Sequence, residues 1–162
     1  MLLAPLGALA IPEPQGRKRP PPGKSTTPDR ATVVKPPPCR ALVPAPRSQL
    51  TERRFDDFAR DLLVRKSLTD AFRYVSASYK NNNPSVGDGP GAAIDALAPA
   101  WPNIQFSNIH TAFRGNTGWL SYTASGQGQI VDRFKWKSGC IVEHWDQGES
   151  FPNCNSATCK EL

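Results

Sequence analysis

Long apolar runs are missing from this 162-residue chain. No segment approaches the ~20 consecutive apolar residues of a membrane-spanning helix, so no membrane partner is expected. Phosphate loops, dinucleotide fingerprints, nucleophile elbows and metal-ligand spacings are missing too. The enzymatic reading left is cofactor-independent and uses no metal. Acidic residues are scarce at one end only: residues 1–50 hold Glu13 and Asp29 against eight Lys or Arg. That imbalance accounts for the whole formal net charge of +6, and residues 51–162 are neutral, with 12 basic and 12 acidic side chains. The high pI therefore describes a tail and not a folded face. Without a basic stripe interleaved with aromatics, no nucleic-acid partner is expected.

The tail, residues 1–47, has little to pack with. It holds twelve of the 17 prolines, in triplets at Pro20–Pro22 and Pro36–Pro38. Proline removes helix and ladder donors, and too few large apolar residues remain to offset ordering entropy. A disordered tail is therefore expected, extended, partly polyproline II and mobile from Pro12 to Pro38. Residues 1–10 are mostly apolar and end in Ala8-Leu9-Ala10, a small-x-small form that suits a degenerate secretory signal. The four cysteines, Cys39, Cys140, Cys154 and Cys159, form an even set that suits an oxidising compartment. Secretion is the expected localisation. A zinc half-site at Cys154 and Cys159 lacks partners, because the nearest histidine, His144, falls in an expected strand.

Helix signals open the domain expected at residues 48–153, with 154–162 as a C-terminal tail. Thr51 is the expected N-cap, with Leu50 and Phe55 as a hydrophobic staple. Phe55, Phe58, Ala59 and Leu62 then repeat at i, i+3, i+4 and i+7, one apolar stripe. Ser67-Leu-Thr-Asp70 reads as a capping box for a short second helix through Val75. Residues 79–84 read as a turn. Gly89-Pro90 starts a third helix with Ile94 and Leu97 inside. Four short β-rich stretches follow, at 103–113, 119–127, 129–136 and 140–147. Helices followed by strands, without alternation, give an α+β fold: three N-terminal helices packed on a curved antiparallel sheet around an internal pocket.

The last hairpin is readable pair by pair. A three-residue turn, Lys137-Ser138-Gly139, sets Trp136 opposite Cys140, Phe134 opposite Val142 and Asp132 opposite His144. On the other face Arg133 meets Glu143, a cross-strand pair worth about 0.2–1 kcal/mol. A slip of one residue would set Phe134 beside Glu143 and scramble both faces.

These same residues carry a resemblance. Val131-Asp132-Arg133-Phe134, with Gly139-Cys140-Ile141-Val142-Glu143-His144-Trp145-Asp146, resembles the V-D-x-F-R … G-x-I-V-E-H-W-D signature of SnoaL-like proteins. Tyr79-Lys-Asn-Asn-Asn83-Pro84 looks like the family's Y-x-x-H-N-P turn, with Asn82 in place of the histidine. The resemblance covers about residues 48–152. It implies a cone-shaped, nuclear transport factor 2-like α+β barrel, commonly a homodimer, whose cyclase members use an aspartate as acid and base. Secreted members also resemble this chain in a cysteine before the first helix and another in the hairpin turn. From that likeness Cys39 is expected to pair with Cys140, leaving Cys154 and Cys159 for a local bridge.

Asp132 is the first catalytic candidate, because a carboxylate drawn out of water onto an apolar face becomes a better base toward a proton beside a carbonyl. His144 opposite it can share or relay that proton. The alternative is a structural pair whose members satisfy each other. Tyr79, Asn82, Asn83, Phe134, Trp136 and Asp146 are the candidate ligand-binding residues. The expected ligand is a small apolar molecule, held by a cyclase or isomerase without cofactor or by a secreted binding protein without turnover.

Overall fold

The apolar stripe of the first helix decides the architecture. In a computed structural model describing residues 33–154 and 159–162, that helix, α1 (Ser48–Ala59), buries Phe55 and Phe58 completely or nearly so. It runs on as a π-turn, Arg60–Val64, that buries Leu62 and Leu63. A short α2 (Leu68–Ala71) and a 3₁₀ turn (Phe72–Tyr74) follow, then strand β1 (Val75–Asn81), α3 (Pro90–Leu97) and a 3₁₀ turn at Trp101–Asn103. The remaining strands are β2 (Phe106–Arg114), β3 (Thr117–Ala124), β4 (Gly128–Lys137), β5 (Cys140–Trp145) and β6 (Cys159–Glu161). They form one six-stranded sheet in the order β1-β5-β4-β3-β2-β6. Its inner face supplies Leu120, Phe134, Trp136 and Ile141 to a core closed by the helices. The α+β class, with helices over a curved sheet, is the one expected.

Several local expectations need correction. The sheet is mixed, because β1 lies parallel to β5, pairing Val75 with Ile141 and Asn81 with His144. It is also open, since the strand order leaves β1 and β6 at opposite edges. Residues 75–81, read as helix end and turn, are a strand with Val75 and Tyr79 buried and their neighbours mostly exposed. Thr51 is no N-cap. The helix starts at Ser48, so the Thr51 amide already bonds the Arg47 carbonyl at 3.2 Å, and the Thr51 hydroxyl bonds the same oxygen. Leu50 is half exposed and makes no staple. Ser67 is the N-cap expected, its hydroxyl accepting from the Asp70 amide at 3.2 Å. The box does not close: the Ser67 amide donates to the Asp61 carbonyl at 2.8 Å, and the Asp70 carboxylate accepts from the Ser67 hydroxyl at 2.6 Å.

The β4–β5 hairpin holds two departures that together shift the pairing by two residues, so each side chain beyond them keeps its expected face while its partner changes. Lys137 pairs with Cys140, so the turn is the two residues Ser138 and Gly139, at φ 49° and 80°. Positive φ at both central positions is what a type I′ turn needs. Trp136 therefore faces Ile141, one residue away from the expected register. Val142 is then an unpaired bulge, and beyond it Lys135 faces Glu143 and Phe134 faces His144. The extra residue restores the alternation, keeping Glu143 outside and His144 inside. Arg133 does not meet Glu143. Its guanidinium grips Glu149 with two hydrogen bonds (2.7 and 2.9 Å) and stacks on Trp145 at 3.9 Å.

Residues 1–32, including the signal-like segment and most of the proline-rich tail, lie outside the described residues. Residues 33–47, assigned to the tail by composition, run along the domain. Cys39 is disulfide-bonded to Cys140, with a Cα–Cα distance of 5.8 Å, and bridges to Ser76 beside β1. The Leu42 amide donates to the Ser138 carbonyl at 2.9 Å. Cys154 and Cys159 form the second bridge, at 5.7 Å between Cα atoms.

Candidate functional site

Between the helices and the concave face of the sheet lies a cavity of about 300 Å³, the small end of the range for ligand pockets. Its walls are apolar, with Leu62, Phe72, Val75, Trp101 and Phe106 among them. Its polar groups come from four strands, the turn after β1 and the position after β5: Tyr79, Asn81, Asn83, Tyr122, Asp132, His144 and Asp146, with Gln127 from the β3–β4 turn. Trp101 helps to fix the helical wall by donating its Nε1–H to the Leu62 carbonyl at 3.2 Å.

Register places the chemistry. Asp132 on β4 faces Leu120 on β3, which leaves Tyr122 and His144 as its diagonal neighbours on the same inner face. Tyr122 donates its hydroxyl to Asp132 Oδ2 at 2.8 Å. His144 Nε2 lies 3.1 Å from Asp132 Oδ1, with side-chain exposures of 13% and 8% for the two residues. Both carboxylate oxygens are thus engaged inside a nearly dry site. The other ring nitrogen, Nδ1, lies 3.4 Å from Asn81 Oδ1, and that oxygen already accepts the Asn83 amide at 3.0 Å. An amide oxygen only accepts, so Nδ1 carries a hydrogen. Nε2 is then the ring nitrogen that shares a hydrogen bond with the Asp132 carboxylate. The ring is kept in plane by Phe134, stacked at 4.8 Å, and by Tyr79 at 6.5 Å.

Tyr79 and Tyr122 are held as phenols. Burial raises both pKa values above the usual 10.0, and the Asp132 carboxylate pushes in the same direction. For Tyr79 the Asp146 and Asp88 carboxylates add to the effect. Asp146, just past the end of β5, lines the cavity and does not simply face solvent. Its Oδ2 accepts from Asn83 Nδ2 at 2.6 Å, whereas its Oδ1 is buried without a hydrogen-bond partner. Asp132, His144 and Asp146 offer donor atoms within 4.8 Å of one another. A cation there would have to displace the His144–Asp132 hydrogen bond, so the contacts as they stand suit proton handling better than metal binding.

Of the residues named from sequence, Asp132, His144, Tyr79, Asn83, Phe134 and Asp146 come together at the cavity. Asn82 and Trp136 do not line it. Asn82 ties β1 to β5 from outside, donating Nδ2 to Glu143 Oε1 at 3.2 Å and to the His144 carbonyl at 3.0 Å. Trp136 points inward but sits under α1, 6.2 Å from the Phe55 ring and 6.4 Å from those of Phe58 and Tyr74. Sequence reasoning missed Tyr122 and Asn81. Alternation along β3 groups Tyr122 with Leu120, but its meeting with Asp132 needs the β3–β4 register. Asn81 reaches His144 only through the parallel β1–β5 pairing, which leaves no local signal.

No protein-family model matches the chain, and no curated protein is significantly similar to it in sequence. Similar solved structures exist. One is AclR, a putative hydroxylase from Streptomyces galilaeus, at 13% identity over 62% of this chain and 79% of that one, with a TM-score of 0.50. A putative ketosteroid isomerase from Kribbella flavida is 12% identical over 68% of this chain and 87% of its own, with a TM-score of 0.49. A nuclear transport factor 2-like protein of unknown function from Mesorhizobium loti is 15% identical, covering 71% of this chain and 100% of its own, with a TM-score of 0.48. At such identities the likeness is one of fold.

Proposed function

We propose that the chain is a secreted pocket protein of the nuclear transport factor 2-like kind, and that its pocket is a cofactor-independent cyclase or isomerase site for a small apolar carbonyl compound. The single observation that carries the reading is the His144–Asp132 contact at 3.1 Å, with both side chains largely buried on the wall of an apolar cavity. In this reading the Asp132 carboxylate takes the proton from the carbon next to the carbonyl, leaving an enolate. For isomerisation the proton returns to a different carbon. For ring closure the enolate carbon forms a bond to a second carbonyl, whose oxygen takes the proton. His144 passes the proton on or holds it meanwhile, and the Tyr79 phenol supplies a hydrogen bond to the enolate oxygen. Secretion is supported by the two disulfides, which suit an oxidising compartment.

A test needs no knowledge of the natural substrate. In D₂O, 2-tetralone gains deuterium beside its carbonyl when a general base acts on it. The wild-type protein should speed that exchange above buffer, and Asp132→Asn should slow it by roughly 10²–10⁴-fold with the fold retained. Equal exchange in wild type and variant would remove Asp132 from the base role. The second reading is a binding protein without turnover, and one observation favours it: Tyr122 and His144 already engage both oxygens of Asp132. Binding of 2-tetralone with no enhanced exchange would establish it over the first.

A further inference from the structure

Among the described residues, Asp146 is the one polar side chain of the cavity that leaves a buried atom unanswered. Its Oδ1 has no partner, although Oδ2 is held at 2.6 Å by Asn83. A buried acceptor without a donor is costly, and no donor of the protein lies within hydrogen-bond distance of it. The Asn81 oxygen is an acceptor, and the proton between His144 and Asp132 is committed to that pair. Asp146 itself lines the cavity, so its carboxylate is the acceptor that a hydroxyl on a bound molecule meets there. Two carboxylates, Asp132 and Asp146, also flank a single imidazole at this end of the pocket. An anion brought against these two carboxylates would be repelled at low dielectric.

We propose that Asp146 is a specificity residue, and that the pocket takes neutral apolar compounds bearing a hydroxyl whose O–H donates to the Asp146 carboxylate. Carboxylic acids, and ethers of the same shape, are rejected. The inference rests on the reading of the cavity as a small-molecule site and says which molecules enter it. It assigns Asp146 no part in proton transfer, so the tetralone exchange and the selectivity can fail independently.

The test is calorimetric titration of the full chain with 2-naphthol, 2-methoxynaphthalene and 2-naphthoate, which share a ring system and differ in one group. Wild type should bind 2-naphthol at least about tenfold tighter than the methyl ether and take 2-naphthoate weakest, as expected when a site built around a hydrogen bond loses its partner. Asp146→Leu should erase the preference between naphthol and its ether. Asp146→Asn keeps the side-chain shape and removes the charge, so 2-naphthoate should gain on 2-naphthol by about tenfold or more. That second variant carries the test if the leucine chain does not fold. Equal wild-type affinities for 2-naphthol and its ether would overturn the assignment while leaving the pocket reading intact. No binding of either neutral compound would overturn both.

Discussion

At the scale of single residues, the two buried tyrosines give the site a readable alkaline signature. Below pH about 10 the phenols are neutral in both folded and unfolded chains, so their burial costs nothing extra. Above it the unfolded chain ionises, whereas burial and the nearby carboxylates hold Tyr79 and Tyr122 protonated in the fold. The unfolded state then binds fewer protons, so stability falls as pH rises beyond about 10. In a spectrophotometric titration, Tyr74, raised above 10.0 by partial burial and by Asp57 and Asp61 but less deeply buried than the other two, should ionise before them and while the protein is folded. Tyr79 and Tyr122 should ionise only with loss of the near-ultraviolet circular dichroism. Early ionisation of all three tyrosines in the folded protein would show that the pocket is wetter than its walls suggest.

At the scale of elements, the close approach of α1 to the sheet rests on Gly118. A β-carbon there would lie 2.6 Å from the ring of Phe55, which is fully buried and braced by Phe58, Phe113, Phe134 and Trp136. The ring has nowhere to retreat, so Gly118→Ala should destabilise by about 1–3 kcal/mol in urea unfolding, the usual cost of overpacking. The same element pair shows how far a strand can be read from its sequence. The inward set of β4 and β5 follows from alternation, and Asp132 and His144 were legible as neighbours for that reason. The turn and the bulge were not. A bulge at Val142 has no composition of its own. It forms because a regular ladder from a two-residue turn would bury Glu143 and expose His144, and a skipped pair costs less than a buried lone carboxylate.

At the scale of the molecule, residues 33–47 are held to the domain by the Cys39–Cys140 bridge, by Lys35 on Asp95 at 2.7 Å, and by Arg54, whose Nε–H donates to the Gly139 carbonyl at 2.7 Å. The far end of the chain adds β6 to the β2 edge and sets Lys160 between Glu52 and Asp56 of α1. The long bridge spans 101 residues, and loops of that order are the ones whose closure most restricts the unfolded chain. Replacing Cys39 and Cys140 together by alanine should lower stability by about 2–4 kcal/mol. The Cys154–Cys159 pair, five residues apart, should cost less when removed. A denaturant midpoint unmoved by the Cys39/Cys140 replacement would mean that the segment contributes no more than a tether.

The sequence by itself determined what depends on local pattern. The helical stripe of Phe55, Phe58 and Leu62, the Ser67 N-cap, the proline start of α3 and the alternation of β4 are each written within a few residues, because one turn or one pleat sets their period. The α+β class follows from their order, and the cysteine pairing from likeness to a family. Tertiary structure decided what depends on partners distant in the chain. Tyr79 belongs to a strand only because β5 offers it an edge, and Asn81 meets His144 only across that parallel pairing. Trp136 is kept from the cavity by α1 above it, and Asp146 enters the cavity because Asn83, 63 positions earlier, draws in its carboxylate. Such contacts carry no short-range signal, since closing a long loop depends on what waits at the other end.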